Sequence, residues 1–364
     1  MTDSSASPST SVSNSPAGSL RASDNFRRLL LAWPLFFLIC MGLGYPTLNR
    51  YEPRAIEGPS DTAVYYQLVI GEPHPVGRDY MRSRILVPLV AKPFYWFARS
   101  HLKSWEPVFF GLLVANSLFC ATAACFLVRI GDRVIGDPGI ALLSGTLYLL
   151  NFAISNLQLA GLVDSAEACF MLAVTWALLT GKWAWLPLWG TLGALAKETF
   201  VPFALVFTLA WWMIEPGQSS TRRVRAAWAA AMGAASILTL IILHSIAASH
   251  MVWPWNIAAQ ANARVNIFAA LWRSVSNHGF WYVFGWLLPL GLWRLRRLPR
   301  PWVIASIIAA LVALLLGAWK DMLGNVARPM FDVMGPVLCL SVALLLSGHS
   351  QAKIGSRSRP SEPM

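Results

Sequence analysis

Apolar runs of bilayer-crossing length recur along almost the whole chain, at 29–48, 107–128, 138–153, 165–181, 183–196, 199–215, 226–249, 280–293, 301–318 and 331–347. A helix needs about 20 such residues to cross roughly 30 Å of hydrocarbon. Only 13% of the residues are charged, about half the share that coats a soluble domain. The chain is therefore expected to be an all-α polytopic membrane protein with about ten transmembrane helices. The range is nine to eleven, because 183–196 spans only about 21 Å as a helix and is expected to be tilted, broken or partly re-entrant.

The runs divide the chain into a Ser-rich tail over 1–26 with Pro8, Pro16 and Gly18, a transmembrane domain over 27–348, and a second tail over 349–364. Both tails are too polar to bury a core and are expected to be disordered. A signal peptide is not expected, since the first apolar run starts only near Leu29 and no small-residue cleavage site follows it.

Lysine and arginine set the orientation. If the N-terminus is cytoplasmic, that side holds Arg21, Arg27, Arg28, Arg129, Arg133, Lys182, Arg222, Arg223, Arg225, Arg294, Arg296, Arg297, Arg300, Lys353, Arg357 and Arg359. The short loops opposite hold only Lys197, Arg264, Arg273, Lys320 and Arg328. The asymmetry predicts both termini inside. It also accounts for the net charge of +12 without nucleic acid, and the 18 Trp suit aromatic belts at the two interfaces.

The first outer loop, 49–106, is the one long non-membrane segment. It carries Tyr65, Tyr66, Tyr80 and Trp96, and an apolar run, Ile85–Ala98, flanked by Arg84 and Arg99 and interrupted by Pro88 and Pro93. One or two short helices lying in the membrane interface are expected there.

The five cysteines all fall in apolar stretches, so nothing suggests a disulfide framework or a zinc site, and they are expected to be small buried hydrophobes. His74, His250 and His278 form no recognisable metal set. P-loop, HExxH, paired CxxC and GxSxG motifs are all missing, and Gly42-Leu43-Gly44 reads as helix packing.

What remains is a set of polar groups at the outer ends of the spans: Asp61, then Tyr80-Met81-Arg82-Ser83-Arg84, then Asp164-Ser165-Ala166-Glu167, then Lys197-Glu198-Thr199, and last Lys320-Asp321 with Arg328 and Asp332. Ionisable groups at membrane depth are costly and mark function. Each has a plainer reading. Asp61 would cap a helix starting at Thr62. Asp164 and Glu167 match a capping box, the favoured reading of that pair. Lys197 and Glu198 would form a loop ion pair with snorkelling stems, and Arg82, Arg84 and Arg328 would anchor at lipid phosphates. Taken together, the groups suit a lipid-linked phosphate substrate, with cations holding the phosphate and a carboxylate activating an acceptor hydroxyl.

The stretch Asp61…Tyr65-Tyr66…Tyr80…Arg82…Arg84…Pro88, with Ala196-Lys197-Glu198-Thr199-Phe200 and the late Arg328, resembles the GT-C superfamily of polytopic membrane glycosyltransferases over roughly 29–347, mainly as architecture. The resemblance implies a sugar transferase of a bacterial-type inner membrane, using a polyprenyl-phosphate-linked donor and a glycolipid, polysaccharide or protein acceptor. It implies Asp61 as the catalytic carboxylate and Arg82, Arg84, Lys197 and Arg328 as donor-phosphate ligands. Tyr65, Tyr66, Tyr80, Asp164 and Glu198 would line the substrate. No cofactor is fixed by the residues, and a divalent cation stays open. Many members carry two close acids in the first loop, whereas Asp61 has only Glu57 four residues before it. Two rival readings remain: a polysaccharide polymerase or ligase, which needs no carboxylate base, and a transporter or lipid flippase, which would place polar groups near mid-membrane.

Overall fold

The computed structural model describes residues 17–49, 61–72, 79–103, 105–215, 219–253, 256, 266–320 and 326–347, with 17–30, 47, 49, 79, 80 and 318–320 as backbone only. Glu57, His74, Arg264 and Asp321, and the side chains of Tyr80 and Lys320, lie outside what is described. Among the described residues all regular structure is helical. α1 (Ala17–Asn49) begins ahead of the apolar run at Leu29. The first loop contributes α2 (Thr62–Ile70), a 3-10 turn at Asp79–Ser83 and α3 (Leu86–His101). Then come α4 (Pro107–Ile135), α5 (Pro138–Leu149), α6 (Asp164–Leu179), α7 (Leu186–Ala196), α8 (Phe200–Ile214) and α9 (Ser219–Ala248). The chain closes with α10 (Ile267–Ser276), α11 (His278–Phe284), α12 (Leu287–Arg294), α13 (Arg300–Lys320) and α14 (Ala327–Leu346).

Four of these helices, α4, α9, α13 and α14, are long and apolar enough to cross a membrane, and Leu31–Pro46, α5 and α8 are shorter apolar helices. The protein is thus a helical membrane protein. Two of the expected spans are interrupted. The 138–153 run ends its α-helix at Leu149 and continues into a π-helical turn at Ile154–Gln158. The 280–293 run breaks between α11 and α12. The short 183–196 run is a 3-10 turn at Trp183–Trp185 followed by α7.

α4 and α14 form the centre, with 72% and 78% of their apolar windows buried, whereas α9 is 22% buried and α13 33%. The centre is close-packed through small residues, the usual solution where lipid offers no hydrophobic contrast. A methyl added at Gly131 would lie 3.1 Å from the Ala141 Cα, and one at Gly145 would lie 3.2 Å from the Ala124 carbonyl. Chain turns are capped locally. Glu106 precedes Pro107 and accepts from the Phe109 N–H at 2.7 Å, and Asp137 precedes Pro138 and accepts from Gly139 and Ile140.

α3 runs unbroken through both of its prolines. Pro88 sits in the first turn, where its missing N–H is no loss, and Pro93 gives up one internal bond. Packing on α4 compensates, burying Val87, Ala91 and Ala98 and leaving Leu89, Trp96 and Phe97 exposed on the other side. The contact depends on Gly111, where an added Cβ would lie 2.7 Å from the Ala91 carbonyl oxygen.

Gly111→Ala is therefore expected to cost about 1–3 kcal/mol of stability through forced separation of α3 and α4, although Ala is by itself the better helix former. Gly42→Ala, where nothing lies within 4 Å, is the control. Thermal unfolding in detergent reads both.

Candidate functional site

One end of the bundle gathers the first turn of α6, the α7–α8 connection, the start of α14, and the 3-10 turn and α2 of the first loop. The opposite end carries Arg129, Lys182 and the Arg225–Glu215 ion pair at 3.1 Å. The site therefore sits where several helices begin, and their N-terminal dipoles favour carboxylates.

Gly161 makes the geometry at α6. Its φ of +76° is open to glycine at little cost, and it turns the chain from the π-helical segment into α6. A Cβ there would meet Thr62 Cγ2 at 3.0 Å, and the Thr62 hydroxyl donates to the Ala160 carbonyl at 3.3 Å. The first turn of α2 is thereby docked beside the first turn of α6.

Lys197 lies at the centre. It extends the chain after α7 and reaches Asp164 Oδ1 at 2.6 Å and Glu167 Oε2 at 3.0 Å. Thr199 Oγ1 donates to Glu167 Oε1 at 2.7 Å. Arg328 Nη1 approaches Asp164 Oδ2 at 3.6 Å. Beside this group Arg84 grips Glu198 with both sides of its guanidinium, Nε to Oε2 at 2.8 Å and Nη2 to Oε1, while Nη1 donates to the Tyr65 hydroxyl at 2.8 Å. Asp164 and Glu167 are 3% and 1% exposed, and Arg328, at 21%, is the most open of the six charges. The six form three cations against three carboxylates, so the buried network is neutral.

The electrostatics follow. Burial pushes the Glu198 carboxyl up, but the Arg84 guanidinium outweighs it and holds it at about 2. Burial disfavours the Lys197 ammonium, yet Asp164 and Glu167 raise it above the usual lysine range. Burial raises the Tyr65 phenol to about 12 against the opposing pull of Arg84. At neutral pH these groups are fixed in charge.

The capping-box reading of Asp164 and Glu167 is corrected. Val163 is the N-cap of α6, no side-chain cap bond forms there, and both carboxylates turn to Lys197 instead. A charged donor binds a carboxylate more strongly than a backbone N–H. Asp61 occupies the N-cap position of α2 but makes no capping bond to that helix. It sits close enough to raise the Tyr65 phenol, as does Asp164. Tyr66 turns elsewhere and donates to Glu106 Oε1 at 3.0 Å. Arg82 is half-buried on the turn just before Arg84. Glu167 and Thr199 belong to the cluster although the sequence marked them only as a cap and a loop residue; the signal was their adjacency to Asp164 and Glu198.

Deeper in the bundle, one turn along α14 from Arg328, Asp332 is buried. Its Oδ1 accepts from Gln158 Nε2 at 2.9 Å, and its Oδ2 and the buried Tyr148 hydroxyl have no hydrogen-bond partner. Among the described residues no group of three or more His, Cys, Asp or Glu is arranged to hold a metal ion. No protein-family model and no curated protein matches the chain.

Lys197→Met leaves two buried carboxylates without their main counter-ion and is expected to cost about 3–5 kcal/mol, seen as a lower unfolding midpoint in detergent. Arg328→Met, at a longer and more open contact, should cost less. The Arg84–Glu198 pair also has a pH signature. Because the folded carboxyl lies below its ordinary value of 4.5, its contribution is complete above that pH and is lost as pH falls toward about 2. Glu198→Gln should flatten the acid limb of a stability-against-pH curve.

Proposed function

We propose that this protein is a GT-C-like glycosyltransferase of about ten membrane spans, with both termini cytoplasmic. It moves a sugar from a polyprenyl-phosphate donor to an acceptor on the non-cytoplasmic face of a bacterial-type inner membrane. The observation that carries the reading is the neutral, buried charge network at the end of the bundle opposite the arginine-rich loops, with Arg328 at its open side. The Nε of Arg328 has no hydrogen-bond partner, and its ion contact to Asp164 is long. A phosphate oxygen is the natural partner for such a guanidinium.

The roles divide by geometry. Arg84 and Lys197 are engaged by Glu198, Asp164 and Glu167, so they form a rigid floor and contribute field to the donor phosphate. Arg328 and Arg82 contact the phosphate. Asp61, docked beside the cluster by Thr62 and Gly161, deprotonates or orients the acceptor hydroxyl. Breaking the sugar–phosphate bond returns the polyprenyl phosphate with its added negative charge, which the same cations stabilise. The apolar outer face of α3, with Leu89, Trp96 and Phe97, lies in the interface where the lipid tail enters.

A second reading, a transporter or flippase, is favoured by one observation: the buried Gln158–Asp332 pair below the cluster.

Transfer of sugar from synthetic polyprenyl-phosphate donors in isolated membranes tests the proposal. Asp61→Asn should lower turnover by about two to four orders of magnitude, and Arg328→Ala should weaken donor binding. Equal transfer by wild type and Asp61→Asn would transfer support to the ligase-type chemistry. No transfer from a broad donor panel, with Asp332→Asn abolishing lipid movement in vesicles, would establish the transporter instead.

A further inference from the structure

The residues that α9 buries form one narrow stripe: Ala229, Met232, Gly233, Ser236, Leu240 and His244. Its first part packs closely on α7; a methyl at Gly190 of α7 would strike Ser236 Oγ at 2.6 Å and Met232 Cγ at 2.7 Å. α9 packs on the 3-10 turn Asp79–Ser83, and the stripe ends at His244, which feels the charges of Arg84 and Glu198. At that point the stripe, otherwise apolar or small, presents an imidazole. His244 is 6% exposed, and its Nε2 is buried with no hydrogen-bond partner. The charges that act on it are the Glu198 carboxylate and the Arg84 guanidinium. A buried polar group without a partner costs about 1–3 kcal/mol. Such a group beside a charged site is suited to a partner that arrives with the ligand.

We propose that His244 is a ligand-binding residue of the site, donating from Nε2 to the phosphodiester of the lipid-linked donor and making donor binding sensitive to pH. This rests on the lipid-phosphate reading above. The protonated imidazole adds a charge-assisted bond to the anion; the neutral ring offers a weaker bond or, as the other tautomer, none.

The neighbouring groups leave His244 as the titrating one. Glu198 is held at about 2 and Tyr65 at about 12, Lys197 and Arg84 are raised, and Arg82 adds a second guanidinium on the turn. α7, α8 and the Trp183–Trp185 turn, which also pack on α9, carry no titratable side chain. On the 3-10 turn the side chains of Asp79 and Tyr80 lie outside the described residues.

The test uses the full-length protein in detergent and a farnesyl methyl phosphodiester, whose single charge does not titrate in the working range. Binding is measured calorimetrically from about pH 5.5 to about 8.5, the range in which imidazoles change charge. Wild type is expected to lose about tenfold in affinity across that range, the size of one charge-assisted hydrogen bond. His244→Gln keeps an amide donor and should bind at every pH with a flat profile; His244→Asn takes its place if the glutamine variant does not elute as a folded species. A flat wild-type profile, or an unchanged slope in the variant, would overturn the role of His244 and leave the donor reading intact. Absence of binding by wild type at every pH would overturn the donor reading and this inference with it.

Discussion

A carboxylate removed from water must be given a cation or surrender its charge, and the folded core of this protein is arranged around that requirement. Asp164 and Glu167 stand on the first turn of α6, almost fully covered. Helix dipoles contribute only about 0.3–1 kcal/mol each, too little against the several kcal/mol that burial of each ion costs. Lys197 meets the difference, and to bring it there the chain must leave α7 early, extend through one residue and restart as α8. The shortness of α7 is thus a consequence of the charges it serves. Arg84 does the same for Glu198 from the first loop, so the loop is bound into the bundle by electrostatics as well as by the α3–α4 contact.

The helical architecture was legible because bilayer-length apolar runs are a one-dimensional signal. The first-loop helices were legible too, from Ile85–Ala98 and its flanking cations. Less legible were the features decided by packing. Pro88 and Pro93 read as interruptions, but contact with α4 carries α3 through both. The break between α11 and α12 lies inside a run that reads as continuous.

The candidate site was visible as five separate polar stretches, but not as a set of partners. Asp164 and Glu167 have the spacing of a capping box, and spacing alone does not reveal a lysine 33 positions later that outcompetes the backbone. Tyr65 and Tyr66 are adjacent and look equivalent, yet helical rotation sends one to Arg84 and the other to Glu106. His244 lies inside the 226–249 apolar run, and the docking of α9 against the 3-10 turn sets it near Arg84 and Glu198.

The network also orders the protein's assembly in time. Asp164 and Glu167 are synthesised before Lys197, and Arg328 comes near the end of the chain. A nascent α6 therefore meets the membrane with two carboxylates and no counter-ion from the segments that follow. Its charged turn is held at the water boundary until the α7–α8 hairpin delivers the ammonium, and Arg328 arrives only with the last helix. Insertion machinery that releases helices one at a time would meet an energetic barrier at α6, and release of α6, α7 and α8 as a group removes it.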